Sequence, residues 1–335
     1  MKKVTYIYFA ILLLVGSAAI FLLTQNRTGT NPNMMKVFAI ADTQNVTKIF
    51  LADRANNRVL LERKGPNLWS LNKKYTAYKS RVDLILECIK NVEMKNPLSE
   101  KAKKAFLKDM LTGSIKVEIY THGNDVPEKT YYVGGTTADQ LGTIMLMEGS
   151  KDPMVTWIPG FEGYLSVRYE AVEKGWRSRE VYKIAPSSIR EVTYTYPGST
   201  EESFTFKSDG KNFSISSAAH PEKSYTVSPA MAKDFLLGFA NIEYEAFYTA
   251  SNHEMDSVKN SSPLINISVK AEGQNIPSLK FFNVLAVGHN QMAGRDPFDR
   301  TRFLAIASDA PAEILYVQRR NIERLMHGFK DFIEK

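Results

Sequence analysis

The chain has 335 residues, 44% of them hydrophobic and 24% charged, an ordinary globular composition that excludes an intrinsically disordered chain. Its one cysteine, Cys88, excludes an internal disulfide, so cores and not covalent staples must hold the fold. The net charge of +7 is scattered along the length, which fits a solvated surface better than a nucleic-acid interface.

Lys2 and Lys3 precede an uncharged, mostly apolar run from Val4 to Leu23. About twenty residues at 1.5 Å of rise each cross a hydrocarbon core of roughly 30 Å. Ser17, Ala18 and Ala19 could form a signal-peptide cleavage site, but the apolar run continues through Ile20, Phe21, Leu22 and Leu23. A retained anchor is therefore expected. The basic residues ahead of the span place the N-terminus in the cytoplasm and the bulk of the chain outside. With no disulfide available, the expected setting is the inner membrane of a bacterium, single pass, with the folded part in the periplasm.

The expected organisation is an anchor over residues 1–24, a polar linker over 25–35, a first unit over 36–171, a connector over 172–188 and a second unit over 189–335. The two units read as copies. Val46 to Leu51 is matched by Ile189 to Tyr194, and Trp69, after the turn at Gly65, by Phe213, after Gly210. Ile115 to Tyr120 is matched by Ile265 to Lys270, Met154 to Trp157 by Arg302 to Ala305, and Leu165 to Val167 by Leu315 to Val317.

Period-two alternation marks strands: Val117 and Ile119 alternate with Lys116 and Glu118, and Ile265, Ile267 and Val269 with Asn266 and Ser268. Thr130 to Val133 is expected to stop at a hairpin turn on Gly134 and Gly135. Ser80 is the expected cap of a helix with Val82, Ile85, Ile89 and Val92 on one face, Cys88 bordering them as a small buried hydrophobe. A second helix is expected from about Ser99 to Leu111, with its lysines solvated. Ser228 and Pro229 open a third, with Met231, Phe235, Leu236 and Phe239 on one side. The periodicity of Ile322, Leu325, Met326, Phe329 and Ile333 predicts one helix over 318–333, docked on its own sheet or offered to a partner or membrane surface. The fold class expected is α+β: a transmembrane helix followed by two tandem units of antiparallel sheet packed with helices.

No phosphate loop, paired-histidine zinc helix or nucleophile elbow occurs. His253, Glu254 and Asp256 read as a solvated loop without spaced metal partners. Two segments are richer. Arg295, Asp296 and Asp299 lie in a charged loop around Pro297 and Phe298, where two carboxylates could serve as acid and base, or where Arg–Asp pairs could brace a strand connection. Trp176, Arg177 and Arg179 combine the residue types most enriched at binding hot spots, and sit where the first unit hands over to the second. The alternative there is a linker whose Trp packs into an interdomain seam.

Several stretches resemble a bacterial family known as a domain of unknown function, the DUF4340 group. They are Val46 to Arg54, Leu61-Glu62-Arg63-Lys64, Lys116 to Tyr120, Lys129 to Gly135, Trp157-Ile158-Pro159-Gly160-Phe161, Trp176-Arg177 and Ile189 to Val192. The resemblance implies a membrane-anchored extracytoplasmic protein of repeated α+β units and, for part of the family, a link to ABC transporters of the gliding-motility type. It supplies no catalytic residues. The expectation is a non-enzymatic, membrane-tethered docking or scaffold protein with a transporter or other envelope protein as partner and no cofactor, metal or nucleic acid. A binding module for a lipid or other apolar envelope ligand is the alternative, and an uncharacterised hydrolase on Asp296 and Asp299 the weaker one.

Overall fold

The computed structural model describes residues 35–285 and 297–333. The run over residues 4–23, expected as an anchor, lies outside the described residues, as do Arg295 and Asp296. Among the described residues no helix is long and apolar enough to cross a membrane.

The chain divides into two compact units between Ser178 and Arg179. The first contains β1 (Val46–Ala52), β2 (Arg58–Gly65), β3 (Leu68–Leu71), β4 (Tyr75–Thr76), α1 (Lys79–Asn91), β5 (Glu93–Pro97), α2 (Glu100–Gly113), β6 (Ile115–Thr121), β7 (Lys129–Thr136), β8 (Thr143–Met147) and β9 (Met154–Trp157). Its nine strands form one antiparallel sheet in the order β4-β3-β2-β1-β6-β7-β8-β9-β5. The second contains β10 (Glu180–Tyr182), β11 (Ile189–Thr195), β12 (Phe204–Ser208), β13 (Phe213–Ser217), β14 (Tyr225–Thr226), α3 (Pro229–Leu237), β15 (Ile242–Glu243), β16 (Ala246–Phe247), α4 (Asn252–Asn260), β17 (Ile265–Ala271), β18 (Leu279–Leu285), β19 (Phe298–Ala307), β20 (Leu315–Gln318) and α5 (Arg319–Glu323). Its large sheet runs β14-β13-β12-β11-β17-β18-β19-β20-β16, while β10 and β15 pair separately. Both units are mostly sheet with few helices.

The two nine-strand orders are the same order, and the registers agree rung by rung. Ile49 faces Ile119 as Val192 faces Val269. Trp69 faces Arg63 as Phe213 faces Ser208, so these two aromatics hold equivalent positions. Even an irregularity repeats: the β1–β6 ladder slips between Val46 and Lys48, and β11–β17 slips between Ile189 and Glu191. A bulge bends a strand and strengthens its twist, so both sheets are bent at the same place. Two of the expected matches fail, one of them by a displacement of one strand. Met154–Trp157 is β9, whose counterpart is β20, whereas Arg302 to Ala305 lies in β19, the counterpart of β8. Residues 165–167 are not a strand: Ser166–Tyr169 is a short 3-10 helix.

In each unit one sheet face carries the core. Ile49, Leu51, Leu61, Val117 and Ile119 pack with Val82, Ile85, Cys88 and Ile89 of α1. Val192, Phe204, Phe206, Ile267 and Val269 pack with Ala232, Phe235 and Leu236 of α3. Each such side chain, taken fully out of water, contributes about 1.5–3 kcal/mol. Cys88 is buried beside the Tyr169 hydroxyl at 3.2 Å, and burial pushes its thiol up to about 11, where a thiolate does not form at neutral pH.

The caps show where local signals succeeded. The Ser99 hydroxyl accepts from the Ala102 amide and the Ser228 hydroxyl from the Met231 amide, with Pro229 opening α3. Ser80 does not cap α1: the helix begins at Lys79, and the Tyr78 side chain at the cap position makes no capping hydrogen bond. Gly134 and Gly135 do not end their strand either, because β7 runs on to Thr136. Gly134 is needed for space, since a Cβ there would overlap the ring of Phe106 from α2. Gly134→Ala is expected to cost about 1–3 kcal/mol by overpacking. That increment should vanish in a Phe106→Ala background, a non-additivity that denaturant titration of the single and double variants would show.

The C-terminal segment is not one helix. Helix α5 ends at Glu323, and a 3-10 turn follows at Phe329–Phe332. Between them Gly328 lies against the Glu202 carboxylate, and the Phe329 amide donates to the Glu202 carbonyl at 3.2 Å. The apolar residues that suggested a helix, Ile322, Leu325 and Phe329, are nonetheless buried in the core of the second unit.

The expected connector over 172–188 is divided between the units. Trp176 belongs to the core of the first, and Tyr182 and Ile184 to that of the second.

Candidate functional site

Strand alternation sends Phe281, Phe303, Ala305 and Val317 into the core of the second unit. Phe282, Leu304, Ile306 and Tyr316 therefore emerge on the opposite face, where Tyr248, Met255 and Val258 gather around them. Met255 and Val258 come from α4, which begins with a reciprocal cap: the Ser251 hydroxyl accepts from the Glu254 amide at 3.3 Å, and the Glu254 carboxylate accepts from the Ser251 amide at 3.0 Å. His253, Glu254 and Asp256 thus lie on a helix, not in the expected loop.

The helix and Tyr248 cover Phe282 and Leu304, which are 3% and 2% exposed, but leave the neighbouring part of the face open. A half-open groove of about 1010 Å³ remains, lined by Tyr248, Val258, Leu264, Phe282, Leu304 and Tyr316, with Leu285 65% exposed on its wall. The Tyr248 and Tyr316 rings meet edge to face at 5.2 Å. Burial and the nearby Glu254 carboxylate raise the Tyr248 hydroxyl, and burial raises that of Tyr316, so both stay protonated donors at neutral pH. The internal repeat explains the opening. Ile115 faces Val133 and Ile265 faces Phe281, so Gly134 and Phe282 hold equivalent rungs. In the first unit the helix supplies the aromatic, with Phe106 seated on Gly134. In the second unit the sheet supplies it as Phe282.

Two residues along β19 and β20 from Leu304 and Tyr316 the surface turns basic. Arg300, Thr301, Arg302, Gln318, Arg319 and Arg320 line a cleft of about 470 Å³ together with Glu245 and Glu323. Arg302 donates to both Glu245 oxygens, at 2.6 and 3.1 Å, and its guanidinium lies 5.1 Å from the Tyr316 ring centre. Arg319 lies 4.2 Å from the Phe303 ring centre and donates to the Asp299 carbonyl at 3.1 Å.

Asp299 is 8% exposed and accepts from the Thr301 amide and hydroxyl, each at 2.6 Å. Burial pulls its carboxyl upward, but the Thr301 bonds and the Arg302 charge outweigh burial, so it is held below the usual carboxylate range. A general acid needs the opposite shift. The acidic side chain is a local brace for β19, and its partner is Thr301 in place of the expected arginine. Among the described residues, no group of three or more His, Cys, Asp or Glu is placed to hold a metal ion.

Trp176 offers a partner nothing. It is 0% exposed, its Nε1 donates to the Glu170 carbonyl at 2.7 Å, and the Arg81 guanidinium covers its ring at 4.6 Å. Arg177 stacks on Tyr75 at 4.0 Å in the first unit, and Arg179 belongs to the second, its carbonyl accepting from the Tyr244 amide at 2.9 Å. The groove residues were missed in the sequence, although a signal existed. Phe303 to Ile306 and Phe281-Phe282 are unbroken apolar runs, and a strand apolar on both faces needs something on the second face.

A family model described as a domain of unknown function (DUF4340) matches residues 69–261, from β3 of the first unit past α4 of the second. Neither the curated proteins nor the solved structures give a match to the chain. The matched stretch is more than half of the chain, and the protein belongs to the DUF4340 family.

Proposed function

We propose that this protein is a membrane-tethered, extracytoplasmic binding module without catalytic activity, held by residues 4–23 in a bacterial inner membrane, whose second unit receives an apolar envelope ligand. The observation that carries the proposal is the groove of about 1010 Å³. Its size and its aromatic and aliphatic wall, with His253, Glu254 and several serines along the α4 side, match small-molecule sites, which span roughly 300–1,000 Å³. The hydropathy of the N-terminal run supports the tether and its orientation.

Docking onto a transporter or another envelope assembly is the companion proposal. It no longer rests on Trp176. What favours it is the solvent-facing row of Lys101, Lys104 and Lys108 on α2, suited to an acidic protein surface.

The test is solvent extraction and mass spectrometry of the full chain purified in nonionic detergent. An apolar molecule in stoichiometric amount is expected from the wild type. Several-fold less is expected from Leu264→Glu/Leu285→Glu, because both side chains are wall residues with exposed surface. Equal yields from the two proteins would refute the ligand proposal.

A further inference from the structure

The groove and the arginine cleft are neighbours along β19 and β20. Arg302 and Leu304 are successive outward residues of β19, as are Gln318 and Tyr316 of β20, and the ladder pairs Arg302 with Gln318 and Leu304 with Tyr316. Two residues of strand span about 7 Å. Tyr316 lines the groove, and the Arg302 guanidinium of the cleft lies 5.1 Å from its ring centre. Four arginines against two glutamates leave the cleft net positive. Arg300 is exposed and has no ion-pair partner among the described residues, and Arg320 is held only by Gln318, its Nε donating at 2.8 Å.

We propose that the ligand is an anionic phospholipid, with an acyl chain over Leu264, Leu285 and Tyr316 and the headgroup phosphate on Arg300, Arg302 and Arg320. This rests on the proposal that the groove takes an apolar ligand, and adds what reads the ligand's other end. Guanidinium forks pair the phosphate oxygens of either head two at a time, and the cleft's net positive charge repels a choline ammonium, so an anionic head is selected over a zwitterionic one. Glu245 orients Arg302 and neutralises part of its charge, so that among the described residues Arg300 and Arg320 are the cleft arginines without an ion-pair partner. The apolar part is of small-molecule size, whereas a protein partner needs roughly 800 Å² of interface on each side. That contrast favours a lipid over a polypeptide.

The test uses the full chain in phosphatidylcholine nanodiscs. These are doped with phosphatidylglycerol or phosphatidylcholine carrying a photoreactive diazirine on one acyl chain, at equal mole fraction. The phosphatidylglycerol probe is expected to label peptides containing Leu285 or Tyr316 about tenfold more than the phosphatidylcholine probe, the discrimination that repulsion of the choline ammonium supplies. In Arg300→Gln/Arg320→Gln, which changes only exposed side chains, the preference should fall to near parity.

Equal labelling of those peptides by both probes overturns the headgroup assignment while leaving an apolar ligand in place. Absence of groove labelling by either probe overturns both. A further arm attaches benzophenone to Leu285→Cys. The label goes to that position alone, because Cys88 is buried with its thiol raised to about 11. If this probe captures a polypeptide in native membranes and no lipid, the surface is a protein-docking site and the lipid assignment falls.

Discussion

Trp176→Ala is expected to lower the unfolding free energy of the first unit by about 3–5 kcal/mol, the cost of deleting a fully buried ring whose cavity cannot collapse. The segment around Trp176 closes one end of that unit. The Tyr78 amide donates to the Trp176 carbonyl at 2.7 Å, the Ser178 amide donates to the Thr76 carbonyl at 2.8 Å, and Ala77 bridges Arg177. Around the indole, Arg81 pairs with Glu170 at 2.6 Å and donates to the Gly175 carbonyl at 3.1 Å. Removing the ring takes away the platform under Arg81 and leaves the Glu170 carbonyl without its indole donor. Trp69 and Trp157 remain as fluorescent reporters, and both lie in the first unit. Denaturant titration followed by their emission should show the midpoint shift. An unchanged midpoint with lost recovery of membrane partners would restore Trp176 as a docking anchor.

Local features of the fold could be read from the sequence, and features made by distant residues could not. The alternation in residues 46–51 and 189–194 marked β1 and β11, and the Gly turns placed Trp69 and Phe213 on equivalent rungs. The match of Met154–Trp157 slipped by one strand because β8, Thr-Ile-Met-Leu-Met, shows little alternation and was passed over. Leu146 on its outer face is buried, 5% exposed, together with Phe106 of α2. Both faces are thus covered, and alternation fades when both faces are covered. Helix α4 carried the Ser251–Glu254 signature of a reciprocal cap, and the charged residues that follow obscured it. The terminal periodicity was genuine, but the helix ends at Glu323 and the chain beyond it docks on residues near Glu202, a contact about 125 positions away in sequence that no local pattern encodes.

The candidate site was less legible than the fold. Residue-type preference singled out Trp176, yet a tryptophan that suits a hot spot suits a core equally well, and only the indole's bond to Glu170 tells the two apart. The groove needs β16, β18, β19, β20 and α4 to converge, and its opening depends on which element supplies the aromatic. Phe106 on a helix over Gly134 closes one face. Phe282 on the other strand is itself covered by a helix with Met255 and Val258, and the groove opens beside it.

In the second unit the largest loss is expected at Phe235. This residue of α3 is 3% exposed and meets six rings: Tyr194 at 5.9 Å, Phe204 at 6.3 Å, Phe206 at 4.9 Å, Phe239 at 5.5 Å, Phe332 at 5.2 Å and His327 at 5.4 Å. Phe235→Ala should therefore cost about 3–5 kcal/mol, near the upper end, because the stacked sheet aromatics cannot move inward to fill the space. Alanine's better helix propensity returns only about half a kcal/mol. Two of the six rings, His327 and Phe332, belong to the C-terminal segment, so the variant also loosens that segment from the core. Limited proteolysis should then cut first at Arg324 or Lys330, before sites in the sheet are reached. Phe332→Ala provides the comparison. Phe332 is 8% exposed and sits in the 3-10 turn near the chain end, so its loss should cost less and expose the same sites without lowering the midpoint as far. If Phe332→Ala proves as costly as Phe235→Ala, the terminal segment is a full member of the core. A Phe235→Ala cost below about 1 kcal/mol would mean that the aromatic cluster repacks, contrary to the close packing argued for it.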